Sequence, residues 1–519
     1  MPGLPPPPPR DVQTPDDPAI APPSLTQRAV SSTSWVMLST AARQVLTLVS
    51  ASILGRLLGP SSYGLMGMAA LISAFLLNFR DLGTVAAVIR GRSVSQSLLS
   101  SLFWINFFLG ILLSGSMLVI AYPAAAFFHE PRVTPIMQAL AVTFWIASSG
   151  LIHNAILTRE MAFRKIAIAD IAAAVVGYGV AIPCALAGYG VWSLVFANLL
   201  TTVVSTILYW TFTGWRPSLI ISAADLKSIS KFSLNLSGFG LVNYFARNAD
   251  NLVVGRVLGA AELGQYQMAY NLMLYPIQMI SSVLSQALFP AFAKLQDDDE
   301  RFRSAYVRSC ALIALVTFPV LVGLGVVADP MVRVLLGPKW LPVIPVLHIL
   351  APVGVIQSIQ TTVGQIYITK GRTDWMFRWG IFSTVLVVTA FMIGVHWGIL
   401  GVAAGYASVY FGVVAYWGFA IPFRLIGLKW TAFLAELLPG LASSAFMACG
   451  CLAWLYFLRM MGVSNPVVQL ATTVLLGAGL YIGALLVSRA RVLSHMNVAL
   501  GEARAPGAAA LVRLLSRFA

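Results

Sequence analysis

Long apolar stretches recur along the whole chain. A helix of about 20 residues crosses the ~30 Å hydrocarbon core of a membrane, where every backbone polar group must be hydrogen-bonded within the protein. Stretches of this length meet that requirement as α-helices. Only 10% of the 519 residues are charged, against about 25% in a soluble domain. The sequence therefore predicts an all-α, polytopic membrane protein.

We predict about fourteen transmembrane helices, several of them separated by short glycine-containing turns. Their approximate bounds are 34–55, 62–80, 97–121, 134–157, 165–187, 190–212, 232–255, 263–288, 305–328, 341–368, 375–396, 399–421, 432–457 and 466–488. None of the connections is long enough to form a catalytic domain. A membrane enzyme such as a glycan polymerase or ligase, which works under a large outer loop, is therefore disfavoured, and we predict that the protein is not an enzyme.

One segment of the chain occurs twice. Residues 55–69 (GRLLGPSSYGLMGMA) return 200 positions later as residues 255–269 (GRVLGAAELGQYQMA), with seven identities in fifteen positions and no gap. The identical residues of the first copy are Gly55, Arg56, Leu58, Gly59, Gly64, Met68 and Ala69. The copies begin at the ends of spans 1 and 7, so an even number of spans separates them and both point the same way through the membrane. This predicts two parallel six-helix halves, followed by two additional helices.

The basic residues indicate the orientation of the chain. With the N-terminus inside, 25 of the 33 Lys and Arg residues lie in inside segments, six lie outside, and Arg43 and Arg247 lie within spans. The positive-inside rule therefore places both termini in the cytoplasm. The same distribution explains the net charge of +15 without a nucleic-acid partner.

The predicted organisation has five parts. They are a Pro-rich cytoplasmic tail (1–28), an N-terminal six-helix bundle (29–230), a C-terminal six-helix bundle (231–425), two further transmembrane helices (426–490) and a cytoplasmic tail (491–519). No Gly-rich phosphate loop is present to bind ATP. The four cysteines and five histidines show no metal-ligand spacing. We therefore predict no cofactor and no metal site.

Polar and ionisable residues interrupt the first span of each half. A charged side chain at the bilayer centre costs about 2.5–3.5 kcal/mol on insertion scales, so it usually faces a cavity or a partner. Span 1 carries Arg43 and Gln44, and span 7 carries Asn243, Arg247 and Asp250. Asn243 is the repeat equivalent of Arg43. The pattern predicts that both helices expose a polar face to a shared interior.

Structural alternatives stay open for both arginines. Arg247 and Asp250 are three positions apart and could form an ion pair on one helix face. Arg43 could pair with Asp81 or Asp170 from other spans, or extend its side chain to the membrane surface.

An unpaired arginine in such a cavity would suit an anionic cargo, since the guanidinium group matches phosphate oxygens with two parallel hydrogen bonds. Asn271 on span 8 is a further candidate for the cavity wall. Its polar neighbours Gln265, Gln267, Tyr270 and Gln278 belong to the same prediction. Polar residues there could equally serve as contacts between helices.

Two long segments resemble a known family. Residues 55–90 (GRLLGPSSYG…) with 97–110 (SLLSSLFWINFFLG), and residues 270–308 (YNLMLYPIQM…) in the second half, resemble polysaccharide exporters of the Wzx type. These belong to the multidrug/oligosaccharidyl-lipid/polysaccharide (MOP) flippase superfamily. The colanic-acid and succinoglycan exporters are the most similar group, and the resemblance covers roughly residues 30–425.

The resemblance implies two bundles arranged in a MATE/MOP-like V with a cavity open alternately to each side. It also implies a cargo, an oligosaccharide repeat unit linked to undecaprenyl pyrophosphate, moved from the cytoplasmic to the periplasmic leaflet of the bacterial inner membrane for polysaccharide biosynthesis. The cavity residues would be Arg43, Gln44, Asn243, Arg247 and Asn271.

The resemblance also bears on partners and on the energy source. Membrane lipids and a polysaccharide polymerase or export machinery are the expected partners. Asp250 is a candidate for ion coupling. The alternative function is a MATE-like cation or drug antiporter, which Asp250 and Asp170 would suit because such a protein needs carboxylates in its cavity.

Overall fold

The computed structural model describes residues 25–80, 84–90, 94–220, 244, 247–295 and 298–487. All regular structure in these residues is helical. Three parts of the domain prediction, namely the tail 1–28, the boundary at 230 and the tail 491–519, lie largely or wholly outside the described residues. The domain boundaries therefore stay a prediction.

Seven helices make up the first half of the described chain. They are α1 (Leu25–Leu58), α2 (Pro60–Leu77), α3 (Thr84–Arg90), α4 (Gln96–Phe128), α5 (Val133–Arg159), α6 (Phe163–Leu186) and α7 (Trp192–Phe212). Apolar residues fill their interiors, and Ser95 caps α4 by accepting a hydrogen bond from the backbone N–H of Leu98. Such a cap satisfies one of the free N–H groups of a first helical turn.

The second half is also built from membrane-length helices, but more of them are interrupted. Its helices are α8 (residues 247–257), α9 (Ala260–Lys294), α10 (Asp299–Val326), α11 (Ala328–Leu335), α12 (Val343–Gln360), α13 (Val363–Thr369), α14 (Thr373–Gly394), α15 (Gly398–Val409) and α16 (Ala415–Ile426). Short 3₁₀ turns lie at Pro338–Trp340 and Val395–Trp397, and a π-helical turn, Tyr410–Val414, joins α15 to α16. Two additional helices, α17 (Trp430–Met460) and α18 (Pro466–Val487), follow.

The helices match the predicted spans. Ten segments of the described chain are long and apolar enough to cross a membrane. One of them, Thr373–Ile426, reverses at the turn Val395–Trp397, so that α14 packs against α15. It therefore accounts for two crossings. Helices α1 and α9 and the described part of α8 overlap the three remaining predicted spans. The described segments therefore indicate a multi-pass membrane protein.

Each half has its own packing, and α2 and α9 join the two. In the first half α4 packs on α5, α5 on α7, and α6 on both α7 and α1. In the second half α12 packs on α9 and α10. The main contact between the halves is between α2 and α9, the two helices that begin in the repeated segment. A buried apolar cluster runs through this contact and includes Met68, Leu263 and Tyr266.

Candidate functional site

The equivalent helices α1 and α8 lead into α2 and α9 at the same end of the molecule. We call this end the outer side and the opposite end the inner side, after the orientation predicted from the basic residues. The prediction that the first helix of each half carries a polar face can then be followed along each helix.

One face of α1 is open at its inner end and closed at its outer end. Arg43, Thr47, Ser50 and Leu54 share this face, because residues spaced by three or four positions lie above one another on a helix. The Arg43 side chain is 56% exposed. Thr47 is half-buried, whereas Ser50 and Leu54 are 2% and 1% exposed. Along this face the side chains therefore change from exposed at Arg43 to closely packed at Leu54.

The equivalent face of α8 has the same gradient. Arg247 is exposed, whereas Asp250 and Val254 are 5% and 0% exposed. These residues lie 200 positions after Thr47, Ser50 and Leu54. Asn243, the equivalent of Arg43, lies outside the described residues. Both halves thus place a basic side chain at the open, inner end of the face.

Arg43 has a partner across the first half. Its Nη1 atom lies 3.5 Å from Oδ2 of Asp170 on α6. The hydroxyl of Tyr209 on α7 donates a hydrogen bond to the other carboxylate oxygen. Of the two carboxylates considered from the sequence, Asp170 is thus in contact, and Asp81 lies outside the described residues. The ion pair is long compared with the roughly 2.7–2.9 Å of a strong charge-assisted bond, and the guanidinium group keeps a free face.

A polar cavity of about 520 Å³ lies within the second half. Its polar lining residues are Arg247, Asp250, Tyr270, Gln278, Gln357, Thr361, Ser383, Thr384, Tyr406 and Tyr410. They come from α8, α9, α12, α14 and the segment from α15 to the π-helical turn. Four of these lining residues were predicted from the sequence, namely Arg247, Asp250, Tyr270 and Gln278. The others were not, since single polar residues in the apolar spans 10–12 gave only a weak signal.

Asp250 is the buried acid of this cavity. Its Oδ1 atom accepts a hydrogen bond of 2.7 Å from the backbone N–H of Asn251, and its Oδ2 atom accepts one of 3.2 Å from the Tyr266 hydroxyl. Arg247 lines the same cavity, but the structure forms no ion pair between these two described residues. The alternative of an Arg247–Asp250 pair is therefore not realised. Both residues line the same cavity without forming a pair.

The predicted site residues fall into separate groups. Arg43 and Gln44 belong to the first half, where Gln44 is half-buried and Arg43 contacts Asp170. Arg247 and Asp250 line the cavity of the second half. Asn271 is exposed on α9 and does not line that cavity.

The outer side is closed where α2 crosses α9. A Cβ atom added to Gly64 would lie 1.6 Å from the carbonyl oxygen of Ala260, and one added to Gly264 would lie 2.1 Å from that of Pro60. Contacts this close are possible only without a side chain. The two repeat-equivalent glycines therefore let the helices touch backbone to backbone, and this contact separates the open inner ends from the outer side.

Comparison with known proteins gives concordant results. The family described as polysaccharide biosynthesis protein matches residues 53–345. The chain is 29% identical over 393 residues to the lipopolysaccharide biosynthesis protein WzxC of Escherichia coli (strain K12). That alignment covers 74% of this chain and 79% of WzxC.

Solved structures share the fold. The lipid II flippase MurJ in an inward closed conformation superposes with a TM-score of 0.69 at 12% identity, covering 88% of this chain and 98% of MurJ. An inward-facing multidrug resistance MATE family transporter of the MOP superfamily gives a TM-score of 0.61 at 20% identity, covering 74% of this chain and 94% of the transporter. These similarities confirm the predicted fold class.

Proposed function

Because the chain belongs to the polysaccharide biosynthesis protein family and has the fold of MOP-superfamily transporters, we propose that it is a lipid-linked oligosaccharide flippase. The proposed cargo is an oligosaccharide repeat unit on undecaprenyl pyrophosphate. It would move from the cytoplasmic to the periplasmic leaflet by alternating access. The membrane would be the bacterial inner membrane, with both chain termini in the cytoplasm and with membrane lipids and the polymerase or export machinery as partners.

The exposed guanidinium of Arg43 is the observation that carries this proposal. It lies on the face of α1 that closes toward Ser50 and Leu54, and not on the opposite, apolar face that carries Val45 and Val49. A cation held there, with one weak partner, meets the need of a dianionic pyrophosphate that must bind and then leave.

The other predicted residues have distinct proposed roles. Arg247, at the equivalent open end of α8, would bind the same head group from the second half. Gln44, Asn243 and Asn271 would contact sugar hydroxyls.

Asp250 is the proposed coupling group. A carboxylate that is 5% exposed and faces a polar cavity can bind a proton or a small cation and return to the charged form later in the cycle. Since no ATP-binding motif occurs in the sequence, an ion gradient of this kind is a suitable energy source.

The experiment compares Arg43→Ala with Asp170→Asn in cells, with the protein level checked by blot and the sidedness of lipid-linked glycan measured. If Arg43 binds cargo, Arg43→Ala leaves lipid-linked repeat units on the cytoplasmic face and lowers exported polysaccharide. Asp170→Asn, which removes the partner but keeps the cation, retains export. Equal losses in the two variants, at normal protein levels, would identify a structural ion pair and reject the cargo role.

A cation or drug antiporter is the second candidate, and the buried Asp250 in its polar cavity favours it. The two functions differ in the phenotype of the deletion strain. If deletion leaves glycan export unchanged and makes the cells sensitive to cationic drugs, the antiporter replaces the flippase. If deletion blocks export and drug sensitivity is unchanged, the antiporter is rejected.

A further inference from the structure

Arg56, the second residue of the repeated segment, reaches from the first half to the second. Its Nε atom donates a hydrogen bond of 3.2 Å to the carbonyl oxygen of Leu335, and its Nη2 atom donates to those of Arg333 and Val334. These carbonyls belong to the last turn of α11, where helical carbonyls have no partner within the helix. Arg56 therefore caps a helix of the opposite half.

Arg256, its repeat equivalent, makes the reverse contact. Its Nη1 atom donates to the carbonyl oxygens of Ala126 and Phe127, in the last turn of α4. The same atom lies 2.7 Å from the ring nitrogens of His129, the residue that ends α4 in a left-handed conformation. The guanidinium group also lies over the Phe127 ring, 5.3 Å from its centre. Arg256 thus caps a helix of the first half.

The two contacts are related by the symmetry of the repeat. Segment α10–α11 is the third crossing of the second half, and α4 is the third crossing of the first. The glycine before each arginine supports the contact: a Cβ on Gly55 would lie 3.1 Å from Leu336, and one on Gly255 would lie 3.0 Å from Phe128. The repeat therefore preserves, in both copies, the residues that join the halves.

A positive charge at a helix C-terminus is favourable because the helix dipole concentrates negative charge there. For Arg56 and Arg256 this stabilisation exists only while the halves are together on the outer side. Arg132 is a matched contrast on the same side: its guanidinium pairs with Glu130, two residues away in the same half. Separating the halves would break the first two contacts and leave the third intact.

We propose that Arg56 and Arg256 are twin catches that hold the outer side closed and must both release before cargo can leave outward. The proposal rests on the alternating-access transport proposed above and names the residues that set its resting state. With both catches made, the halves open only at their inner ends. Each catch adds its own cost to opening, so removing one lowers that cost and removing both lowers it further.

The test measures access to the closed side directly and uses no cargo. Gln267 on α9 lies against Gly67 of α2, just below the glycine crossing. In a full-length protein whose four native cysteines are replaced, Gln267→Cys reports opening through its labelling rate by a membrane-impermeant maleimide added to spheroplasts. Ser464→Cys, in the exposed outer turn between α17 and α18, is the control that is labelled in every state.

We expect slow labelling of Gln267→Cys in the parent protein. Arg56→Ala and Arg256→Ala should each accelerate it on the order of tenfold, and the double variant on the order of a hundredfold, as the loss of one or two charge-assisted contacts implies. Arg132→Ala removes an equal charge from the same side and should leave the rate unchanged. Arg56→Lys keeps the charge but reaches fewer carbonyls, so it should give an intermediate rate. This conservative variant serves as the control for misfolding of Arg56→Ala.

Unchanged labelling in the double variant, with normal labelling of Ser464→Cys, would overturn the proposal and leave two simple helix caps. Equal acceleration by Arg132→Ala would also overturn it, since the effect would then be one of general charge. A different result would show that the catches exist but that the protein is not a flippase. In that case labelling responds to the catches while glycan sidedness does not depend on the protein.

Discussion

Arginines at the inner and outer ends of α1 and α8 have different kinds of partner. At the outer side, Arg56 and Arg256 donate to backbone carbonyls of the opposite half. At the inner side, Arg43 has one long ion pair within its own half, and Arg247 faces a cavity. The outer guanidinium groups donate hydrogen bonds to protein carbonyls, whereas the inner ones have N–H groups that could still bind a ligand. In this protein, the partners of an arginine therefore distinguish a structural contact from a candidate binding group.

The largest effect should come from filling the glycine crossing. Gly64→Ala or Gly264→Ala puts a methyl group where a backbone carbonyl already lies. Overpacking of this kind costs about 1–3 kcal/mol, and here the cost falls on the outer-closed state alone. We expect polysaccharide export to drop to the level of the deletion strain and Gln267→Cys to be labelled rapidly. Gly115→Ala on α4, where a Cβ meets no atom within 4 Å, is the control. Normal export by Gly64→Ala would contradict the tight crossing.

The next effect separates the two kinds of arginine. Arg247→Ala should lower export on the order of tenfold, as the loss of a charge-assisted contact to cargo implies. It should leave the labelling rate of Gln267→Cys unchanged, because Arg247 makes no contact at the outer side. Both quantities are measured in the same strain. Faster labelling in Arg247→Ala would show that the inner end also holds the halves together.

A smaller effect is expected from Trp340→Phe at the outer junction. Trp340 is fully buried, and its indole N–H donates a hydrogen bond of 2.8 Å to the carbonyl oxygen of Gly55. Since the backbone N–H of Gly59 also reaches that carbonyl, the lost hydrogen bond should account for about 1 kcal/mol, and the buried volume that is removed adds to it. Thermal unfolding in detergent measures it, with Trp397→Phe, an exposed tryptophan, as the control. Equal stability of the two variants would argue against a role for this bond.

The smallest effect is expected from Arg132→Ala. A hydrogen bond from Arg132 lowers the pKa of the Glu130 carboxyl. A surface pair of this kind contributes less than about 1 kcal/mol to the free energy of unfolding. Because the pKa of Glu130 is lowered by folding, its contribution is present at neutral pH and is lost as the pH falls through the folded-state pKa. Unfolding of the wild type and Arg132→Ala at neutral and acidic pH measures the difference. A larger loss at acidic pH than at neutral pH would contradict the assignment.

Much of the architecture was predictable from the sequence. The apolar spans predicted an all-α, polytopic protein, and the helices and the solved structures that share the fold confirm it. The repeat at an even span number predicted the two parallel halves. The resemblance to Wzx-type exporters is likewise confirmed. The fold could be predicted because the length of an apolar span and the spacing of a repeat can be read directly from the sequence.

The contacts of the candidate site were less predictable. The sequence left Arg43 with two candidate carboxylates and did not choose Asp170, which lies 127 positions away, since helix packing decides which spans meet. From the sequence, Arg56 and Arg256 were aligned residues of the repeat on the outer side, with no predicted partner. A signal was present, because the repeat aligns these two arginines, but their partners are backbone carbonyls, which no residue type reveals. The spacing on one helix also suggested an Arg247–Asp250 pair, which the structure does not form, although both residues line the same cavity.

The two additional helices make the halves unequal. Helix α17 packs mainly on α10 and α18, and α18 also packs on α11, while the Tyr481 hydroxyl donates a hydrogen bond of 2.7 Å to the carbonyl oxygen of Leu315. These contacts tie both helices to the second half. In the proposed alternating-access cycle the halves tilt against each other, so the second half, with eight predicted spans, would displace more lipid than the first half, with six. We therefore expect viscous drag to make the second half the stationary body and the first half the one that swings through the membrane.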